Sequence, residues 1–152
     1  MVSRKFLYSG AVVDEQQLPN AFESRAFLYA DGFFETIRCI NGRIPLYYLH
    51  YGRIVDSARA YKMDLPQWMQ EGYLLSLLEE LYRESALNGD ARIRLTIYRD
   101  GEGRFTPTTN FATAIGSIEH TEGNGFELNE KGIDIDKDST NFTLFDDAPD
   151  YT

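Results

Sequence analysis

Phe33-Phe34-Glu35-Thr36-Ile37-Arg38-Cys39-Ile40, Asn41-Gly42, then Arg43-Ile44-Pro45-Leu46-Tyr47 is the stretch on which the fold turns. An Asn-Gly pair between two runs of aromatic and β-branched residues favours a two-residue turn with positive φ at both centres, and so predicts a β-hairpin. Pro45 has no N–H to give to a ladder, so the second strand belongs at an edge or leaves that position unpaired.

Upstream, Phe6 to Val13 and Ala26 to Tyr29 read as short strands, with a polar connection at 14–20 after the first. Downstream the period changes. Leu49, Arg53, Ile54, Ser57, Ala58 and Tyr61 recur at spacings of three and four, which predicts a helix over 49–61. Pro66 follows, and Trp68, Leu74, Leu75, Leu77, Leu78, Leu81 and Tyr82 mark a second amphipathic helix over 67–87, closed by Asn88-Gly89. Arg92 to Tyr98 alternates strictly: Ile93, Leu95 and Ile97 share one face, and Arg92, Arg94, Thr96 and Tyr98 the other, a polar face able to line a site. Phe111 to Ile118 reads as a further strand, and Gly132-Ile133-Asp134-Ile135 as the opening of another. The expected fold class is α+β, a mostly antiparallel sheet with two helices on one face.

Charge divides the chain. Residues 1–118 carry 14 acids against 13 bases, net −1, whereas residues 119–152 carry 10 against 2, net −8, so nearly all of the net −9 belongs to the tail. We therefore expect an α+β domain at 1–118 and an acidic segment at 119–152 that either opens a second domain or is an altered tail. The arginines of the body are scattered, which argues against nucleic acid. No run of about 18 apolar residues is present, and the N-terminus lacks a signal-peptide pattern, so no membrane partner and a cytoplasmic location are expected. The single cysteine, Cys39, permits no intrachain disulfide and no cysteine-rich zinc site. Asp134-x-Asp136-x-Asp138 copies the start of a calcium loop, but Ser139 and Phe145 stand where its glycine and bidentate glutamate belong, so no metal is expected. Asn141-Phe142-Thr143 matches a glycosylation acceptor only by chance, and His50 and His120 read as half-exposed structural histidines.

The sharpest constellation is Tyr29-Ala30-Asp31-Gly32-Phe33-Phe34-Glu35-Thr36-Ile37-Arg38, followed by His50-Tyr51-Gly52-Arg53-Ile54-Val55-Asp56-Ser57-Ala58. In order and spacing it resembles the N-terminal domain of the fold-type IV pyridoxal 5'-phosphate enzymes, over roughly residues 5–135. These are the class IV aminotransferases (branched-chain and D-amino-acid aminotransferases) and 4-amino-4-deoxychorismate lyase.

The resemblance implies a homodimer acting on an amino acid or on aminodeoxychorismate. It places Arg53 on the cofactor phosphate, where a permanently charged fork suits phosphate oxygens; the plain alternative is a surface helix arginine. Tyr29 and Phe34 match positions lining the substrate pocket, or are ordinary core aromatics. Arg38, Arg94 and Arg104, with Arg99 beside them, are candidates for substrate carboxylate. Thr106 stands where the D-amino-acid enzymes have a histidine, which weakens that assignment.

The resemblance also demands a Schiff-base lysine about 17 residues past the glycine matching Gly132. That count reaches Pro149, and no lysine follows Lys137; Lys131 and Lys137 come too early. No catalytic residue is therefore assigned. The chain reads as an N-terminal half, truncated or naturally short, with weak or absent binding of pyridoxal 5'-phosphate and inactive alone; the alternative is a non-enzymatic interaction or dimerisation module on the same scaffold.

Overall fold

A computed structural model describes residues 4–121. Ser9 and Gly10, with φ of 47° and 84°, fold β1 (Lys5–Tyr8) back on β2 (Ala11–Asp14), pairing Tyr8 with Ala11. The stretch read as one strand, 6–13, is thus a hairpin, because two left-handed residues in succession turn the chain through the geometry that matches strand twist.

Asn41 and Gly42 adopt the same left-handed pair, at 47° and 81°, yet no hairpin of two strands follows. Ile40 and Arg43 exchange one pair of backbone hydrogen bonds (2.8 and 3.0 Å), and the ladder stops there. Pro45 cannot donate, Leu46 turns left-handed (φ 57°), and Tyr47 opens α2 (Tyr47–Ala60). The turn chemistry is as expected; the second strand is replaced by the start of the helix. The partner of β3 (Gly32–Cys39) is instead β4 (Ala91–Arg99), in the register Glu35 opposite Leu95 and Ile37 opposite Ile93.

Ala26 to Tyr29, expected as a strand, lies within the single-turn helix α1 (Arg25–Tyr29). Ser24 caps it by accepting the Phe27 N–H at 3.3 Å, and the left-handed Ala30 closes it. Local capping overrides the aromatic β-preference of this segment. The second long helix is α3 (Glu71–Glu84), shorter than 67–87, because Gln67–Met69 form a 3-10 turn and Gln70 is extended. With β5 (Ala112–His120), the sheet order is β2-β1-β5-β4-β3, antiparallel throughout.

The core lies between one sheet face and α2 and α3. Ile37, Ile93, Leu95, Ile97 and Leu7 meet Ile54 and Ala58 of α2 and Leu74, Leu78 and Leu81 of α3, all nearly or wholly buried. The alternation of β4 is therefore realised, with Ile93, Leu95 and Ile97 inward. The α+β class and the helix-covered antiparallel sheet are as the sequence implies, with α1 as a third, short helix. The other sheet face, carrying Phe34, Thr36, Arg92 and Arg94, is exposed. Among the described residues no helix is long and apolar enough to cross a membrane. The expected strand at Gly132, the Asp134 motif, Asn141 and both tail lysines lie outside the described residues.

Candidate functional site

Glu35 shares the helix-covered face of β3 with Ile37 and Cys39, where a lone carboxylate would be costly. Two residues one helical turn apart on α2 resolve the cost. His50 Nδ1 donates to Glu35 Oε1 at 2.6 Å, Arg53 Nη2 donates to the same oxygen, and Arg53 Nε reaches Oε2 at 3.3 Å. The Glu35 side chain is 11% exposed and that of His50 16%, against 57% for Arg53. His50 is thus partly buried, less exposed than the half-exposed histidine expected, and is held against the carboxylate it serves. Burial pushes the Glu35 carboxyl up, but the hydrogen bonds from Arg53 and His50 and their charges outweigh it and hold it below the ordinary glutamate range. The same Glu35 hydrogen bond is the main influence raising the Arg53 guanidinium.

A depressed carboxyl stabilises the fold above its unfolded-state pKa, and the contribution is lost as pH falls through the folded value. We expect Glu35→Gln to be less stable than the parent near pH 7, with the gap closing from about pH 5 downward. Urea midpoints across pH 3–7 check this, and a gap that widens in acid would contradict it.

Arg53 and His50 line a cleft of about 520 Å³ with Thr36, Arg38, Leu46, Leu49, Arg92 and Thr121. Arg38 donates to Asp90 at 3.0 Å. Arg53 Nη1 has no acceptor among the described residues, and Thr121 Oγ1 is buried there without a hydrogen-bond partner among them. The cleft therefore offers an anchored, exposed guanidinium beside a hydroxyl, a donor set that fits a phosphate monoester, within the size range of cofactor pockets.

The six residues predicted from the sequence do not converge on one cavity. Arg38 and Arg53 line the first cleft. Phe34 and Arg94 stand beside it on the exposed sheet face, the guanidinium 3.8 Å from the ring centroid. Tyr29 and Arg104 line a separate shallow cleft with Arg25, Asp31, Tyr61 and Phe105. Phe34 and Tyr29 are about half exposed, so neither is a core aromatic. Arg99 also lines that second cleft, but its guanidinium is largely buried and spent on Asp31, Asn110 and two backbone carbonyls. Glu35 and Arg92 went unassigned in the sequence. The signal for Glu35 is a carboxylate on an inward strand position followed by basic residues three apart on the next helix.

The amino-transferase class IV family model matches residues 32–136. The chain is 25% identical over 130 residues to a D-alanine aminotransferase of Staphylococcus epidermidis, covering 85% of this chain and 45% of that one. It is 33% identical over 95 residues to a putative branched-chain-amino-acid aminotransferase of Methanocaldococcus jannaschii, covering 62% and 32%. The structure of a branched-chain amino acid aminotransferase from Thermobaculum terrenum in its PLP form superposes with a TM-score of 0.68 at 14% identity, covering 81% of this chain and 42% of that one. The chain thus spans less than half the length of these relatives. With the family model matched over more than half of its residues, this chain belongs to the class IV aminotransferases.

Proposed function

We propose that this chain supplies the phosphate-binding side and part of the substrate wall of a pyridoxal 5'-phosphate-dependent aminotransferase acting on an amino acid. The observation that carries this reading is the Arg53 guanidinium, fixed by two nitrogens on Glu35 at the mouth of the cleft. Arg53 would hold the phosphate, with Thr121 beside it, and Glu35 and His50 would keep the fork oriented so that little rotamer freedom is lost on binding. When bound, the cofactor supplies an electron sink for chemistry at the substrate α-carbon.

Phe34 walls the pocket, and Arg94 receives a carboxylate. Neither Lys5, paired with Asp14, nor Lys62 lines the Arg53 cleft, and no lysine stands near Pro149, where the resemblance requires one, so we propose that the 152-residue chain does not transaminate alone. Phe22, Phe27 and Phe111, each well over half exposed, and the almost fully exposed Phe105 support self-association as a homodimer. Aminodeoxychorismate lyase chemistry would use the same phosphate side.

Fluorescence titration of the chain with pyridoxal 5'-phosphate tests the reading. Arg53→Ala is expected to weaken binding about tenfold or more, with partial recovery in Arg53→Lys, since the interaction is a charge-assisted one. Equal affinity of Arg53→Ala and the parent would overturn it and leave the interaction-module reading. Borohydride treatment should leave the intact mass unchanged; a covalent gain on Lys131 or Lys137 would overturn the proposal that the chain is inactive alone.

A further inference from the structure

Where the turn between β1 and β2 meets the start of α3, a cavity of about 390 Å³ is lined by Gln67, Trp68, Gln70 and Tyr73. It shares no residue with the clefts at Arg53 and at Tyr29. Its walls are held from behind. Met69 is fully buried, Trp68 packs against the same core, and a Cβ at Gly10 would stand 2.8 Å from Trp68 Cγ, so the indole lies where only a glycine leaves room. Tyr47 Oη donates to the Glu71 carbonyl at 2.9 Å and fixes the first residue of α3. A cavity built on these anchors is preformed, and a ligand entering it has little ordering to offset.

The polar groups of the lining are unspent. The side chains of Gln67, Trp68, Gln70 and Tyr73 make no hydrogen bond to any described residue, and Gln70, the N-cap of α3, does not use its amide as a cap. None of the four is charged, and Glu71 is the one charged residue in 67–73. The cavity thus offers two aromatic rings and two amides, with no cation to receive a phosphate or carboxylate and an acid nearby to repel one. Aromatic side chains of this kind stack on flat heterocycles. A glutamine amide is a donor and an acceptor in one plane, the pattern that matches N6–H and N7 of adenine, and a second amide suits the N6–H and N1 edge. The volume lies in the range of small-molecule pockets.

We propose that this cavity binds a neutral adenine-bearing ligand, a nucleoside in preference to a nucleotide, with the base stacked on Trp68 and Tyr73 and its edges read by Gln67 and Gln70. The site does not depend on the aminotransferase reading.

Trp68 is the one tryptophan of the chain, so its fluorescence reports on this cavity directly. Titration of the 152-residue chain with adenosine is expected to quench it saturably, with a Kd below about 1 mM and little dependence on salt. Adenosine monophosphate should bind no more tightly. N6,N6-dimethyladenosine keeps the ring but loses the N6–H donors, and should bind about fivefold more weakly. Gln67→Ala and Gln70→Ala should each weaken adenosine binding several-fold, and Tyr73→Ala about fivefold or more. All three residues are exposed, so these substitutions leave the core packing intact. Arg53→Ala should leave adenosine binding unchanged, because Arg53 does not line this cavity. Absence of saturable quenching, or equal affinity for adenosine and its dimethyl derivative, would overturn the site. So would tighter binding of the monophosphate, loss of adenosine binding in Arg53→Ala, or equal binding of methyl α-glucoside, which would make the aromatics a general platform for neutral sugars.

Discussion

Arg99→Met is expected to lower the free energy of unfolding by about 3–5 kcal/mol, the cost of breaking a buried ionic network by removing one member. The Arg99 side chain is 8% exposed and spends its whole guanidinium inside the protein. Nε donates to Asp31 Oδ2 at 3.1 Å, Nη1 to Lys62 O at 3.1 Å and Asn110 Oδ1 at 2.8 Å, and Nη2 to Tyr61 O at 2.6 Å. These acceptors come from three places: the start of β3, the end of α2 and the loop before β5. Methionine fills most of the volume but satisfies none of them, and an unmet buried acceptor costs about 1–3 kcal/mol. Asp31 keeps Arg25, which donates to Oδ2 at 2.8 Å, so the carboxylate itself is not stranded. Urea denaturation with a near-native circular dichroism spectrum is the measurement. A loss under about 1 kcal/mol would show that water replaces the guanidinium and that the network is not a structural hub.

How much of this was legible in the residues depends on the range of the interaction involved. The inward face of β4 can be read directly, because Ile93, Leu95 and Ile97 follow the two-residue period and nothing distant competes with it. The Asn41-Gly42 turn is legible for the same reason, whereas the fate of its second strand is not. Pro45 marks the weakness, but only the capture of β3 by β4, over fifty residues away, explains why no second strand is required. Ala26 to Tyr29 misleads because its aromatics suit a strand, while Ser24 and Ala30 fix a single helical turn. At the site, the helix arginine is legible from its motif. The separation of Arg38 and Arg53 from Tyr29 and Arg104 is not, since it is set by the order of strands. The burial of Arg99 is equally hidden: in sequence it is one more arginine at the end of a strand with polar alternation.

Gly32→Ala is the second large effect we expect, about 2–3 kcal/mol of stability together with a several-fold loss of pyridoxal 5'-phosphate affinity. The residue needs no unusual φ; what it needs is space. A Cβ at Gly32 would stand 2.6 Å from the Ile97 carbonyl oxygen and 2.9 Å from Tyr98 Cβ, and the first of these is backbone that cannot swing away. Gly32 pairs with Tyr98 at the first rung of the β3–β4 ladder, directly after Asp31, whose carbonyl accepts the Arg99 N–H at 3.2 Å. Relieving the overlap therefore means moving the end of β3 away from β4. That motion pulls Asp31 off the buried arginines on one side and shifts Glu35, three residues along, on the other. Arg53 takes its orientation from Glu35, so under the phosphate role proposed for Arg53 a defect in strand packing becomes a defect in phosphate binding. Gly52 provides the contrast. It lies within α2 with no atom near the position of a Cβ, and Gly52→Ala should raise stability by about 0.5–1 kcal/mol through helix propensity alone. Urea midpoints on the two variants should move in opposite directions, and cofactor affinity should fall only in Gly32→Ala. If Gly32→Ala matched the parent in both, close strand approach would not be the reason for glycine after Asp31.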